Sequence, residues 1–99
     1  MNNRYLNLLG LVYRARKCST GEELIIKDIQ QNKVSLLLIA NDISEATKKK
    51  LQDKCNTYEV PYMEVDDRYT LGRAIGKQER VAIAILDKGF AKKLQSLLS

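Results

Sequence analysis

A chain of 99 residues with 44% hydrophobic and 29% charged residues has the make-up of an ordinary folded protein, not of a disordered tail. No apolar run approaches the roughly 20 residues that cross a bilayer, and Met1-Asn2-Asn3-Arg4 lacks the apolar stretch of a secretory leader, so one cytoplasmic domain is expected over 1–99. Seventeen Lys and Arg against twelve Asp and Glu leave a net +5 that favours a polyanionic partner, and the lack of histidine removes the usual acid–base group of neutral pH.

Along the chain, Tyr5, Leu8, Leu9, Val12 and Ala15 recur at helical spacing and predict an amphipathic helix over 3–15, with Gly10 as its weak point. A short extended piece is expected at 17–19, then a second helix over 21–31 with Asn32 as its stop. Ser19 with Glu22, or Thr20 with Glu23, matches a capping box for that helix. The continuous apolar run VSLLLIA, 34–40, reads as a strand buried on both faces. Asp42 or Ser44 can cap a third helix reaching about Cys55, whose Lys48, Lys49 and Lys50 read as a solvated face. A second strand follows at 60–65, where Pro61 suits a strand start or a sheet edge. A short helix at 70–75, a strand at 81–86 and a last helix capped by Asp87 complete the chain. Helices alternating with short buried strands predict an α/β protein, a three-layer α/β/α sandwich.

Little here suits catalysis. Glu22 and Glu23 are neighbours in sequence and point about 100° apart on a helix, which makes a poor acid–base pair. Asp66-Asp67 fits a polar turn, with no histidine or third acid nearby to complete a metal site. Cys18 and Cys55 read as ordinary thiols, and neither metal nor cofactor is expected. GRAIGKQ, 72–78, resembles a phosphate-binding loop, but it has three residues between its glycines where that motif needs four. Gln78 also stands where a magnesium-binding hydroxyl belongs, and the stretch runs helix to strand, so nucleotide binding there is excluded.

What remains is basic. Arg14, Arg16 and Lys17 lead into the second helix, and Arg68, Arg73, Lys77 and Arg80 mark a second basic region. Gly72 and Ala74 allow the short helix to pack closely, Gly76 stops it, and Lys77, Gln78, Glu79 and Arg80 lead to the apolar Val81. That loop reads equally as a helix stop and connection or as a surface for phosphates and exposed bases.

TLGRAIGKQERVAIAIL, with TGEELIIKDI and the LLLIANDIS strand and loop, resembles the ribosomal protein L7Ae superfamily over essentially the whole chain, and within it the short bacterial YlxQ-like branch. The resemblance implies a four-stranded mixed sheet of the L30e-like kind and non-enzymatic binding of a sharply bent RNA, the kink-turn, with ribosomal RNA among the candidates. In that family the loop and N-terminus of the second helix face the RNA with a Gly-Thr-Asn-Glu pattern, two further residues and a Lys. Here Ser19 and Thr20 precede Gly21 at the Asn position, Glu22 keeps the acid, and Ile25 takes the place of the Lys. Lys17, Arg16 and Lys27 are the candidates to replace the missing cation. The family's second contact, the loop before the last strand, corresponds to Lys77 through Val81, with Val81 as its apolar element. The alternative is a protein-interaction module on the same fold with its RNA specificity weakened.

Overall fold

Leu36–Ile39 (β2) and Ala82–Ile85 (β4) are buried at every position and lie side by side in the middle of a four-stranded sheet, which is why both read as unbroken apolar runs. Cys18–Thr20 (β1) and Tyr62–Glu64 (β3) form its edges, in the order β1-β4-β2-β3. β4 is antiparallel to both β1 and β2, whereas β2 and β3 are parallel, so the sheet is mixed as the resemblance implies. The computed structural model describes residues 3–99; Met1 and Asn2, half of the stretch read for a leader, lie outside the described residues. Among the described residues, no helix is long and apolar enough to cross a membrane.

Five helices cover the two faces: Asn3–Arg14 (α1), Glu22–Gln30 (α2), Glu45–Thr57 (α3), Arg68–Ala74 (α4) and Lys88–Leu98 (α5). Period-two alternation splits the strand side chains between two cores. Leu36, Leu38, Ile83 and Ile85 pack with Tyr5, Leu9 and Val12 of α1, Leu71 of α4, and Ala91 and Leu94 of α5. Leu37, Ile39, Ala82 and Ala84 pack with Ile25 and Ile29 of α2 and with Leu51 and Cys55 of α3. The three expected layers are therefore α1/α4/α5, sheet and α2/α3.

Short polar side chains start most helices. Ser44 accepts from the Thr47 amide, Asp67 from Thr70 and Asp87 from Phe90, each satisfying an amide the helix leaves open. Four helices end alike. Arg16, Asn32, Glu59 and Gly76 each have φ between 57° and 74°, and the residue after each bonds back to the fourth-last turn position, as in Lys17 N–H to Val12 and Lys77 N–H to Gly72. Gly10 is no weak point in α1. A Cβ there would stand 3.0 Å from the Ala74 carbonyl oxygen, so glycine lets α1 and α4 touch. Tyr5, in the first turn of α1, is 2% exposed and its hydroxyl donates to Asp66 at the end of β3. Burial and that carboxylate push its phenol well above the usual range.

Candidate nucleic-acid interface

The strand register decides which loops share an end of the sheet. Thr20 pairs with Ile83, so the β1–α2 junction, Gly21 and Glu22, abuts Val81 and Ala82 at the start of β4. Ile39 pairs with Ala82 and the Ala40 amide donates to Val81, which brings the β2–α3 loop to the same end. The Asn41 amide donates to Asp66, adding the β3–α4 turn. Two segments separated by about 60 residues, the start of α2 and the loop before β4, are thus neighbours.

At the start of α2 the expected capping box does not form. Ser19 and Thr20 belong to β1, and strand geometry turns Ser19 inward, 7% exposed, with its hydroxyl unpartnered among the described residues. The N-cap is Gly21, at φ 93° and ψ 128°, a conformation in which a side chain is strained. Its carbonyl accepts from Ile25, and no side chain caps the first turn, so the leading amides of α2 stay open at an exposed helix end. Glu22 is therefore free of the capping duty. It pairs instead with Lys50 of α3, Nζ to Oε2 at 3.0 Å. Ile25 is fully buried in the α2/α3 core, where a lysine would lose its water, which gives the loss of a cation there a physical reason. Lys27 is exposed further along α2. Among the described residues, none of Arg16, Lys17 and Lys27 has an ion pair; the cation beside Glu22 is Lys50, read from sequence only as part of a solvated face. No local signal could have found it, because 28 residues separate the two.

The loop before β4 lies back along α4. Lys77 N–H reaches the Gly72 carbonyl at 2.9 Å and Arg80 N–H the Arg68 carbonyl at 2.9 Å. A Cβ on Gly72 would fall 2.5 Å from Glu79 Cα, which is the close packing that the small residues predicted. Arg68 joins this end: its Nε stands 3.5 Å from Asp42, its Nη1 3.8 Å from Glu79, and its guanidinium 5.6 Å from the exposed Tyr69 ring. Gln78 is exposed, while Glu79, Arg80 and Val81 are half-buried, with the Arg80 Nη1 donating to the Glu79 carbonyl at 2.6 Å. Arg68 was already read as part of the second basic region, whereas Tyr69 was missed because the helix, which begins at Arg68, was expected only from about 70.

Arg14, Arg16, Lys17 and Lys77 are not at this end. The Leu86 amide donates to Lys17, so Arg16 and Lys17 sit beside the far end of β4. Four strand steps of about 3.3 Å put Lys17 roughly 13 Å from Gly21. Arg14 borders α4, and the Lys77 ammonium lies 5.8 Å from the centre of the Tyr13 ring. The basic approach to α2 thus lies away from the helix start. Among the described residues, no cluster of three or more His, Cys, Asp or Glu is arranged to hold a metal. Burial raises both thiols, Cys55 to about 11.

The family model for the ribosomal protein L7Ae/L30e/S12e/Gadd45 family matches residues 4–95. "RNA-binding protein YlxQ" of Bacillus subtilis is 54% identical over 92% of this chain and 91% of its own length. The Enterococcus faecium protein of the same name is 47% identical over 94% and 89%. A large ribosomal subunit protein eL8 of Thermoplasma acidophilum is 27% identical over 95% of this chain and 78% of its own. Among solved structures, a Bacillus halodurans protein of unknown function superposes with a TM-score of 0.93 at 48% identity over 96% of both chains. The Giardia lamblia 15.5kD RNA binding protein shares the fold, with a TM-score of 0.76 at 22% identity over 93% of this chain and 85% of its own. With the mixed sheet, the three layers and the LGRAIG helix packed through Gly72 all in agreement, the chain belongs to the ribosomal protein L7Ae/L30e/S12e/Gadd45 family.

Proposed function

We propose that this chain is a single cytoplasmic domain that binds structured RNA, a kink-turn, and catalyses nothing. The observation that carries the reading is the juxtaposition of the open α2 N-terminus with the loop before β4, imposed by the pairing of Thr20 with Ile83. Open helix amides suit phosphate oxygens. Glu22 is a carboxylate acceptor suited to a guanine amine, and Lys50 beside it balances its charge against the polyanion. Thr20, Gly21, Gln78, Glu79, Arg80 and Val81 border the same end, with Val81 as the apolar contact for an unstacked base, while Lys27 stands in the last turn of α2. The names of the two bacterial relatives agree with RNA binding, and the eL8 relative makes ribosomal RNA a candidate ligand.

One observation favours a second reading, a protein-interaction module: Glu22 is already engaged by Lys50. Affinity for a kink-turn RNA and for a straight duplex of equal length, measured across a salt series, separates the two. Kink-turn binding should be the tighter and should weaken as salt rises, because phosphate contacts release counterions. Glu22→Gln should cost about 1–3 kcal/mol on the kink-turn, the range for one specific base contact, with little change in melting temperature since Glu22 caps nothing. Equal, weak binding to both RNAs would leave the protein-interaction module.

A further inference from the structure

The cations that the fold removes from the α2 end come together on the opposite layer. Gly10 lets α1 cross Ala74 of α4 closely, and beside that crossing runs an open groove of about 450 Å³ lined by Leu11, Arg14 and Arg73 among others. A second hollow of about 400 Å³ continues from Arg14 to Tyr13, Arg16 and Cys18. Lys77 closes over Tyr13 at 5.8 Å. Among the described residues, neither hollow has an acidic residue in its lining and none of Arg14, Arg16, Arg73 and Lys77 forms an ion pair, whereas Lys48, Lys49, Lys50 and Arg68 all do. Two of the exposed large apolar side chains, Leu11 at 51% and Tyr13 at 36%, lie among these cations. A neutral or cationic partner gains nothing from four unpaired positive charges. A track of phosphates does, and an exposed aromatic ring among cations is what a single strand with unstacked bases requires. A duplex would present no base faces to Tyr13 and Leu11.

We propose that this groove between α1 and α4 binds a single-stranded RNA segment, its phosphates on Arg14, Arg16, Arg73 and Lys77 and a base against Tyr13. The proposal rests on the reading of the chain as an RNA-binding protein, and it assigns a second surface. The sheet stands between the α1/α4 layer and α2, so one short RNA motif cannot fill both sites; a strand running out of the structured RNA can.

The test uses the whole protein, a kink-turn RNA with blunt ends, and the same RNA with single-stranded tails of about ten nucleotides. Wild type should bind the tailed RNA more tightly and with a steeper salt dependence. Arg14→Gln with Arg73→Gln, both exposed positions, should leave the blunt RNA unaffected and reduce the magnitude of the log–log salt slope on the tailed RNA by about 1.4, two phosphates at about 0.7 each. Tyr13→Ala should weaken the tailed RNA alone, by about 5- to 150-fold for one stacked base. Unchanged binding of the tailed RNA by both variants would overturn the proposal and leave the groove to an acidic protein segment. Equal losses on both RNAs would also overturn it, because the groove would then be part of the first site. If wild type ignores the kink yet the variants lose the tails, the reading of the α2 end fails and the groove stands.

Discussion

Gly72→Ala is a severe test of how α4 and the following loop fit together. The added methyl would lie 2.5 Å from Glu79 Cα, 2.7 Å from Glu79 N and 2.9 Å from the Gln78 carbonyl carbon, against about 3.5–4.0 Å for carbon contacts at rest. All three atoms are backbone, so no rotamer change relieves the clash. The loop must move by about an ångström, against the bonds from Lys77 N–H to Gly72 and from Arg80 N–H to Arg68 that hold it. Overpacking costs about 1–3 kcal/mol, and a lost loop hydrogen bond adds about 1. Alanine's better helix propensity returns about 1 kcal/mol. The net loss is about 1–3 kcal/mol, and at about 4–8 °C per kcal/mol for a domain of this size the melting temperature should fall by about 4–24 °C. Gly76→Ala is the control: φ is 74° but nothing lies within 4 Å, so only backbone strain of about 1 kcal/mol applies. Thermal unfolding followed by circular dichroism measures both. A Gly72→Ala protein as stable as wild type, or more so, would refute the close approach, since propensity alone would then decide the outcome.

Tyr5→Phe removes a hydroxyl donor to Asp66 at a site 2% exposed and should cost about 1–2 kcal/mol in chemical denaturation; a smaller cost than for an exposed Tyr13→Phe would refute the role of that bond. The Thr70 amide and hydroxyl hold the Asp67 carboxyl below its usual value, so its contribution is present above about pH 4 and lost as pH falls through the lowered folded value. Melting temperatures from pH 6 down to about pH 2.5 should accordingly fall less for Asp67→Asn than for wild type, and parallel curves would count against the linkage. Cys55 is buried with its thiol raised to about 11, so its share of stability is intact below the unfolded thiol value near 8.5 and is lost as pH rises beyond it. Alkylation at pH 8 should label the half-exposed Cys18 first and Cys55 only on unfolding, as peptide mass mapping would reveal.

Much of the fold was legible because its signals are local. β2 and β4 announce themselves as apolar runs since both faces of each are covered, and Ser44 and Asp87 cap helices through bonds spanning three residues, while the cap by Asp67 was read only as a polar turn. The candidate site was less legible. A hydroxyl three residues before a glutamate looks like a capping box, yet Ser19 and Thr20 were claimed by pairing with Ala84 and Ile83, some 60 residues away, which left Gly21, without a side chain, at the N-cap. The same register separated the basic run of 14–17 from Glu22 by the length of β1, although the two are close in sequence. Lys50 came to Glu22 only because α2 and α3 pack on the same face of the sheet. The sequence by itself determined the helices, the buried strands, the excess of positive charge and the lack of a neutral-pH acid–base group, since each follows from nearest neighbours or from composition. Tertiary structure alone decided which charges face one another, because strand pairing and layer order join residues whose separation along the chain carries no record of the contact.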